Sequence, residues 1–252
     1  MNFYGIAIGD GLSDPITQIQ GYADLFYNWG IVDAHERDIC LDLQRQITEE
    51  IKKENWSEAS NLFNLLIDGP TLQGKPDLFQ VFSGSPNYFD MAISYNPVYG
   101  GDWTAYVNST AVREVLHVGD RYFQDGSIAA NGLQDDLCKS VKPLMAPLFD
   151  SVNMLVYNGQ FDAIVGTPLT ENMLLWFGDE WKGQKAWETS DKIIWRLQPE
   201  SKIVAGYVKS YNTSTTTFSQ VVVRRAGHIA PFDMPASVNA MYYNFAFGKS
   251  FA

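Results

Sequence analysis

The spacing of apolar residues along the chain predicts buried strands separated by amphipathic helices. An apolar run at 4–11 ends in glycines, as expected for a buried strand followed by a tight turn. Apolar runs at 152–157, 202–211 and 218–224 predict three further strands. The polar residues 212–217 would join the last two strands as a hairpin with a loop of more than two residues.

The segment after the first strand has the helical period instead. A loop and then a helix are predicted over 13–27, and a long helix from Asp33 to about residue 54. This long helix begins with a capping box, in which the side chains of Asp33 and Glu36 satisfy exposed backbone N–H groups. A shorter helix is expected over 57–67. The apolar stripe of the long helix is formed by Cys40, Leu43, Ile47 and Ile51.

The rest of the chain predicts a sheet covered by helices. Residues 69–101 are rich in Gly, Pro, Ser and Asn, and predict a long irregular loop with one short hairpin. Helices are expected at 110–116, 134–150, from Thr167-Pro168 onward, within 181–195 and at 235–247. The order of elements favours an α/β core formed by 1–13 and 109–252, interrupted by a helical insertion with cleft loops at 14–108.

Composition narrows the classes of function. The chain has 252 residues, 46% of them hydrophobic, which is an ordinary globular composition. Its net charge of −11 argues against nucleic acid or an anionic membrane as a partner. No apolar run is long enough for a membrane span. The first residues also lack the basic and apolar regions of a signal peptide, so none is expected in this chain.

Two features bear on the cellular compartment. Asn55, Asn108 and Asn212 each begin an N-glycosylation acceptor sequence. Either the protein passes through a secretory pathway, or these short sequences occur by chance. Cys40 and Cys138 are the two cysteines. They could pair as a disulfide in a secreted chain or remain as two buried thiols, and the sequence leaves both alternatives open.

The candidate chemistry lies at two predicted strand ends. Asp162 follows the strand at 152–157, and His228 follows the strand at 218–224. Functional side chains in open α/β sheets lie past the carboxyl ends of strands. An aspartate can orient a histidine by accepting its Nδ1 proton, and the histidine can then act as a general base. The order of Asp before His is also that of α/β-hydrolases.

A nucleophile for this pair is missing from the sequence. The nucleophile elbow requires G-x-S-x-G, and the two G-x-S matches end at Ser13 and Ser250. An Asp-Pro pair follows Ser13, and no helix can follow Ser250. His35 is expected on an exposed helix face, and a pair of His117 with Asp120 is a weaker candidate. No His or Cys cluster has metal-ligand spacing, so no metal is expected.

Several segments together carry a family resemblance. They are 5–15 (GIAIGDGLSDP), 112–119 (VREVLHVG), 140–143 (SVKP), 157–162 (YNGQFD), 179–183 (DEWKG), 204–207 (VAGY) and 227–233 (GHIAPFD). In this order they resemble the serine carboxypeptidases, a family of α/β-hydrolases, and most nearly its vitellogenic carboxypeptidase-like branch. The resemblance covers essentially the whole chain.

This resemblance implies a fold and an activity. Asp162 and His228 would be the aspartate and histidine of the family's triad, and Ile229 would face the pocket for the last side chain of a substrate. The family removes C-terminal residues from peptides or proteins at acidic pH, in secretions, lysosomes or vacuoles. Its members are usually glycosylated and need no cofactor.

The resemblance covers only the C-terminal part of the family's pattern. The family's Gly-Glu-Ser-Tyr-Gly motif and its oxyanion loop precede the segment that this chain resembles. Two hypotheses therefore stay open. In the first, the chain is the back half of an enzyme whose serine lies in a preceding segment or a second chain, and is inactive alone. In the second, it is a truncated, non-catalytic relative that binds a peptide or a protein partner.

Overall fold

A computed structural model describes residues 3–67, 76–97, 103–123 and 126–251. The described residues form a mixed sheet whose strands lie in the order β1-β2-β5-β4-β3. The strands are β1 (Gly5–Gly9), β2 (Asn153–Gly159), β3 (Lys192–Trp195), β4 (Gly206–Asn212) and β5 (Thr217–Val223).

Three neighbouring strands run parallel and end at the same edge of the sheet. β1 pairs with β2 in a register that sets Gly9 opposite Tyr157. β2 pairs with β5, with Gly159 opposite Val223. β4 and β3 then continue the sheet in antiparallel order. The loops that follow β1, β2 and β5 therefore meet at one edge, which is where functional side chains collect in such sheets.

Helices surround this sheet. They are α1 (Pro15–Gln18), α2 (Tyr22–Asn28), α3 (Ala34–Lys52), α4 (Trp56–Leu66), α5 (Leu78–Ser83), α6 (Trp103–Val107), α7 (Thr110–Val115), α8 (Ser127–Gly132), α9 (Lys142–Phe149), α10 (Thr167–Leu175), α11 (Gln184–Thr189), α12 (Ala230–Asp233) and α13 (Pro235–Ala246). None of these described helices has the length and apolar character that crossing a bilayer requires.

The long helix α3 follows its prediction closely. Asp33 accepts a hydrogen bond from the Glu36 N–H and Glu36 accepts one from the Asp33 N–H, each at 2.9 Å. The predicted stripe is buried and packs on α2 and α4. Cys40 belongs to this stripe and, like Cys138, is a buried free thiol. Burial raises the pKa of the Cys40 thiol to about 11, so the thiol stays protonated.

The insertion packs on the loop and the helix that follow β2. The apolar cluster under α2, α3 and α4 includes Tyr22, Phe26 and Phe63, and it extends to Ile164 and Leu169, which follow β2. The hydroxyl of Tyr22 donates to the carbonyl oxygen of Ile164. The helical segment is thus packed directly against the loop that carries Asp162.

Three predicted elements were wrong in extent or type. The helix expected at 134–150 is a short 3-10 turn followed by α9, because Pro143 lacks an N–H and suits the first turn of a new helix. The segment 181–195 is helical only in α11. Its last residues form β3, whose alternating Ile193 and Trp195 suit a strand. The strand expected from residue 202 begins at Gly206.

The segment 69–101, which was predicted as a loop, contains the helix α5, which its composition did not predict. Asp77 caps α5 by accepting a hydrogen bond from the Gln80 N–H at 2.8 Å. Gly84 ends the helix with a left-handed φ of 67°. The described part of this segment, 76–97, contains no strand, so the predicted hairpin is absent there. The rest of the prediction lies outside the described residues.

Candidate active site

The two predicted strand-end residues are in contact. Nδ1 of His228 lies 3.0 Å from Oδ2 of Asp162. The Asp162 side chain is fully buried, whereas 26% of the His228 side chain is exposed. One edge of the imidazole ring is therefore fixed inside the protein. Part of the His228 side chain remains exposed and can be reached by a reactant.

Hydrogen bonds fix the orientation of the carboxylate. Oδ1 of Asp162 accepts the backbone N–H of Val165 at 3.0 Å, which leaves Oδ2 to face the imidazole. The amide of the fully buried Asn158 donates to the Val165 carbonyl oxygen at 2.8 Å and so supports the same turn. A carboxylate facing Nδ1 stabilises the tautomer with a proton on Nδ1 and a lone pair on Nε2.

The loops after β2 and β5 approach each other closely. The N–H of Phe161 donates to the carbonyl oxygen of Ala226 at 2.7 Å. A Cβ atom on Gly159 would lie 1.9 Å from the carbonyl oxygen of Gly227, so only glycine fits there. This close approach sets the separation between the loop of Asp162 and the loop of His228.

A segment of the predicted cleft loops binds both of these loops. The N–H of His228 donates to the Phe89 carbonyl oxygen at 2.6 Å, and the N–H of Met91 donates to the Phe161 carbonyl oxygen at 2.8 Å. The Phe89 ring also stacks on the His228 ring, with centroids 5.5 Å apart and planes at 27°. We call residues 85–95 the bridging loop. Sequence analysis missed its role, because its contacts are mostly through the backbone.

Asn87 organises the bridging loop from inside. Its side chain is fully buried. The amide nitrogen donates to the carbonyl oxygens of Ile93 and Tyr95 at 3.2 and 3.1 Å. The amide oxygen accepts from the N–H groups of Phe89 and Asp90 at 3.0 and 3.3 Å. All four hydrogen-bonding positions of the amide are therefore used within one loop.

Asp10 is a second acidic residue at the site, and the sequence analysis missed it. It directly follows β1, is 8% exposed, and its Oδ1 accepts the N–H of Gly159 at 3.1 Å. One oxygen of its carboxyl group lies within 4.8 Å of one oxygen of Asp162. Burial, followed by the charge of Asp162, raises the pKa of Asp10 well above its ordinary value. The strand-end rule that singled out Asp162 would also have found Asp10.

Two more carboxyl groups lie nearby. Asp233 accepts the N–H of Gly227 at 2.8 Å, and Asp90 accepts the N–H of Ala92 at 2.8 Å. Burial raises the pKa of both aspartates, and for Asp90 the charges of Asp233 and Asp162 add to the effect. The site is therefore acidic and partly desolvated.

The same groups can be considered as metal ligands. Asp10, Asp162 and His228 each bring one possible ligand atom within 4.8 Å of the others. Oδ1 of Asp10, both oxygens of Asp162 and Nδ1 of His228 already take part in hydrogen bonds. The expectation that no metal is needed stays a prediction.

The other predicted candidates lie outside this constellation. The Ser13 N–H is bonded to Gln18, and its carbonyl oxygen to the N–H of Val141. Ser250 lines a cavity of about 340 Å³ with Asn153, which begins β2 and so marks the opposite end of the sheet. The exposed candidates are His35, His117 and Asp120.

Ile229 directly follows His228 in the sequence. Ile229 is half-buried and precedes the first turn of α12. Among the described residues, the hydrogen bonds of the His228 ring involve Nδ1 and none involves Nε2. With Nδ1 facing Asp162, Nε2 is the ring nitrogen that can accept a proton.

A buried carboxylate facing an imidazole past the ends of neighbouring parallel strands resembles the arrangement of the aspartate and histidine in α/β-hydrolases. Comparisons with known proteins agree with this class. The family model "Serine carboxypeptidase" matches residues 1–248. The chain belongs to the serine carboxypeptidase family, as the resemblance of its motifs predicted.

Individual relatives give the same result. The chain is 42% identical to a probable serine carboxypeptidase CPVL of Dictyostelium discoideum, covering 100% of this chain and 48% of that protein. It is 34% identical to a venom serine carboxypeptidase of Apis mellifera, covering 100% of this chain and 52% of that protein. The chain spans about half the length of the curated relatives it matches.

A solved structure confirms the fold class. KEX1(delta)p, a prohormone-processing carboxypeptidase from Saccharomyces cerevisiae, superposes with a TM-score of 0.67 over 97% of this chain and 54% of that one. The sequence identity is 20%, so this likeness bears on the fold. The chain has the α/β-hydrolase fold over the part of that protein that it matches.

Proposed function

We propose that this chain supplies the general base and its orienting carboxylate to a serine carboxypeptidase that removes C-terminal residues from peptides. The single observation that carries the proposal is the 3.0 Å contact between His228 Nδ1 and Asp162 Oδ2. In this role Nε2 of His228 takes the proton of an attacking serine hydroxyl and later returns it to the leaving amine. Asp162 stays ionised and stabilises the imidazolium.

The nucleophile and the oxyanion donors would come from outside these 252 residues. The position of β1 supports this part of the proposal. β1 is an edge strand of the described sheet, with one side paired to β2 and the other side available for a further strand. On this proposal the chain alone does not hydrolyse peptides, because the covalent route and its electrostatic stabilisation are incomplete.

Finer properties of the proposal come from the family resemblance. Ile229 would face the pocket for the last side chain of the substrate, and residues 14–108 would be an insertion that covers the cleft. The enzyme would act at acidic pH in a lysosome, a vacuole or a secretion. Asn55, Asn108 and Asn212 would carry glycans, and Asn55 and Asn212 are exposed at the surface.

A second candidate is a non-catalytic relative that binds a peptide or a protein partner. One observation on the described residues favours it, namely that His228 is neither a hydrogen-bond partner of Ser13 nor part of the lining of the cavity of Ser250. The two candidates differ in what they predict once a serine-bearing segment is present. The catalytic candidate predicts a reactive serine, whereas the binding candidate predicts none.

Covalent labelling tests the proposal directly. The 252 residues would replace the matching half of the Dictyostelium relative, and the chimera would be treated with a fluorophosphonate probe that modifies activated serines. We expect labelling of the chimera and its loss in His228→Ala. His35→Ala is the matched control, because His35 is exposed and outside the site. A correctly folded chimera that resists labelling, or equal labelling in His228→Ala, would contradict the proposal.

A further inference from the structure

Asp10 is a buried acidic group that the Asp162–His228 pair does not explain. A triad of the proposed kind needs one carboxylate, and this site holds a second one against the first. Asp10, Asp162 and His228 each place one polar atom within 4.8 Å of the others. The question is what a neighbouring carboxyl group does for the pair.

The backbone holds Asp10 firmly in this position. The Asp10 N–H donates to the Tyr157 carbonyl oxygen at 2.9 Å, which continues the pairing of β1 with β2. Oδ1 of Asp10 then accepts the N–H of Gly159 at 3.1 Å. Its φ of 49° lies in the left-handed region, which aspartate and asparagine tolerate better than most residues. Asp10 is thus fixed at both its backbone and its side chain.

The two carboxyl groups cannot both be charged without repulsion. When two carboxyl groups share a site, one of them retains its proton over a wider pH range. Asp162 accepts the N–H of Val165 and faces Nδ1 of His228. Burial and the neighbouring charge of Asp162 act on Asp10 in the direction of its neutral form, so the shared proton belongs on Asp10. A protonated Asp10 can then donate an O–H to Asp162.

We propose that Asp10 is a positioning residue for the Asp162–His228 pair: its carboxylic acid donates a hydrogen bond to the Asp162 carboxylate, and this support is lost when Asp10 ionises. The proposal rests on the proposed function, since it gives Asp10 a role in that same site. The orientation of the Asp162–His228 pair would therefore depend on pH. The pair would be better ordered at acidic pH, where Asp10 is protonated.

The surroundings of Asp10 agree with this direction. The titratable groups beside it are Asp162 and Tyr157 from β2 and its loop, and His228 from the loop after β5. Asp90, and beyond it Asp233, add negative charge next to Asp162. Burial and the charge of Asp162 raise the pKa of Asp10. Because acidic groups predominate here, ionisation of Asp10 adds a negative charge where several already lie.

Two variants distinguish the effect of the Asp10 proton from the effect of the Asp10 side chain on packing. Asp10→Asn keeps the size, tolerates a positive φ, and retains an N–H donor for Asp162 at every pH. Asp10→Ala removes the donor and the acceptor of the Gly159 N–H together. If the alanine variant does not fold, the comparison of the asparagine variant with the unmodified chain still decides the question.

The experiment follows the downfield proton resonance of the His228 ring N–H in the histidine-¹⁵N-labelled full chain, from about pH 4 to about pH 8. His228→Gln assigns the resonance. We expect the unmodified chain to lose the resonance as pH rises, Asp10→Asn to keep it across the range, and folded Asp10→Ala to show it weakened at every pH. Identical pH profiles for the unmodified chain and Asp10→Asn would overturn the proposal.

This readout does not depend on peptide hydrolysis. A chimera that the probe does not label would therefore contradict the proposed function. That result would not change the pH profile of the His228 ring proton. Conversely, if the unmodified chain and Asp10→Asn had identical pH profiles while the chimera was labelled, only the proposed role of Asp10 would be contradicted. The two failures are distinguishable.

Discussion

The backbone N–H of His228 donates to the carbonyl oxygen of Phe89 at 2.6 Å, and the ring of Phe89 stacks on that of His228. A residue far from the histidine in sequence therefore holds its loop and shields one face of its ring. The bridging loop makes the same kind of contact with the loop of Asp162, through Met91 and Phe161. The orientation of the pair thus depends on a loop that contributes neither of its two residues.

Removal of the Asn87 amide should weaken this arrangement. We expect Asn87→Ala to lower the free energy of unfolding by about 2–4 kcal/mol, because it removes the hydrogen bonds that the buried amide makes to four backbone groups of the loop. Urea unfolding measures the change. Asn131→Ala is the matched control, since Asn131 is exposed on α8 and its loss should cost little. Equal stability of the two variants would show that the bridging loop does not depend on Asn87.

The close approach of the loops after β2 and β5 can be tested with a substitution that adds a single methyl group. A Cβ atom on Gly159 would lie 1.9 Å from the carbonyl oxygen of Gly227, so Gly159→Ala must push the loops apart. We expect a loss of roughly 3 kcal/mol or more in thermal or urea unfolding. Gly132→Ala in α8 is the control, because a Cβ atom there meets nothing within 4 Å. A Gly159→Ala protein as stable as the control would contradict the packing described.

Stability should depend on pH through Asp90. Its folded pKa is raised above the unfolded value, so the folded state binds the proton more tightly. The resulting stability is fully present below the unfolded value near 3.8 and is lost as pH rises through the folded value. We expect Asp90→Asn to flatten the fall in unfolding free energy over this interval. The exposed Asp120→Asn is the control. If stability instead rises with pH equally in all three proteins, the assignment is wrong.

Glycan occupancy can be measured separately from activity. If the chain is expressed behind a secretion signal, we expect glycan attachment at Asn55 and Asn212, which are exposed. Attachment at Asn108 should be less complete, because its side-chain oxygen accepts the Phe123 N–H at 2.7 Å. Asparagine-to-glutamine variants at each position, compared by gel mobility with and without glycosidase, identify the occupied sites. Unchanged mobility in all of them would remove the glycosylation proposal.

Much of the fold could be predicted because its signals are local. The apolar stripe and capping box of α3 are both present, and they define that helix without knowledge of its neighbours. Asp162 and His228 were predicted together because each follows an apolar strand, and parallel strands end at one edge. The family and the fold class predicted from the motifs are confirmed by the comparisons.

The missed features depend on contacts between distant segments. The strand β3 is only four residues long, and its pairing with β4 decides its structure more than its own propensity does. The bridging loop contacts the site through backbone atoms, which leave no pattern of side chains. Asp10 lies in a glycine-rich turn, and the strand-end rule was not applied to it. Its place beside Asp162 depends on the pairing of β1 with β2, which the sequence alone does not show.

The most direct test of the central claim is the rate at which the chimera with the Dictyostelium relative releases the C-terminal amino acid of a blocked dipeptide. The account predicts that His228→Ala lowers kcat/KM by about 10⁴-fold or more, and that Asp162→Asn does so by a comparable factor. His117→Ala, at an exposed histidine, should change it little. Release that is undiminished in folded His228→Ala would contradict the account.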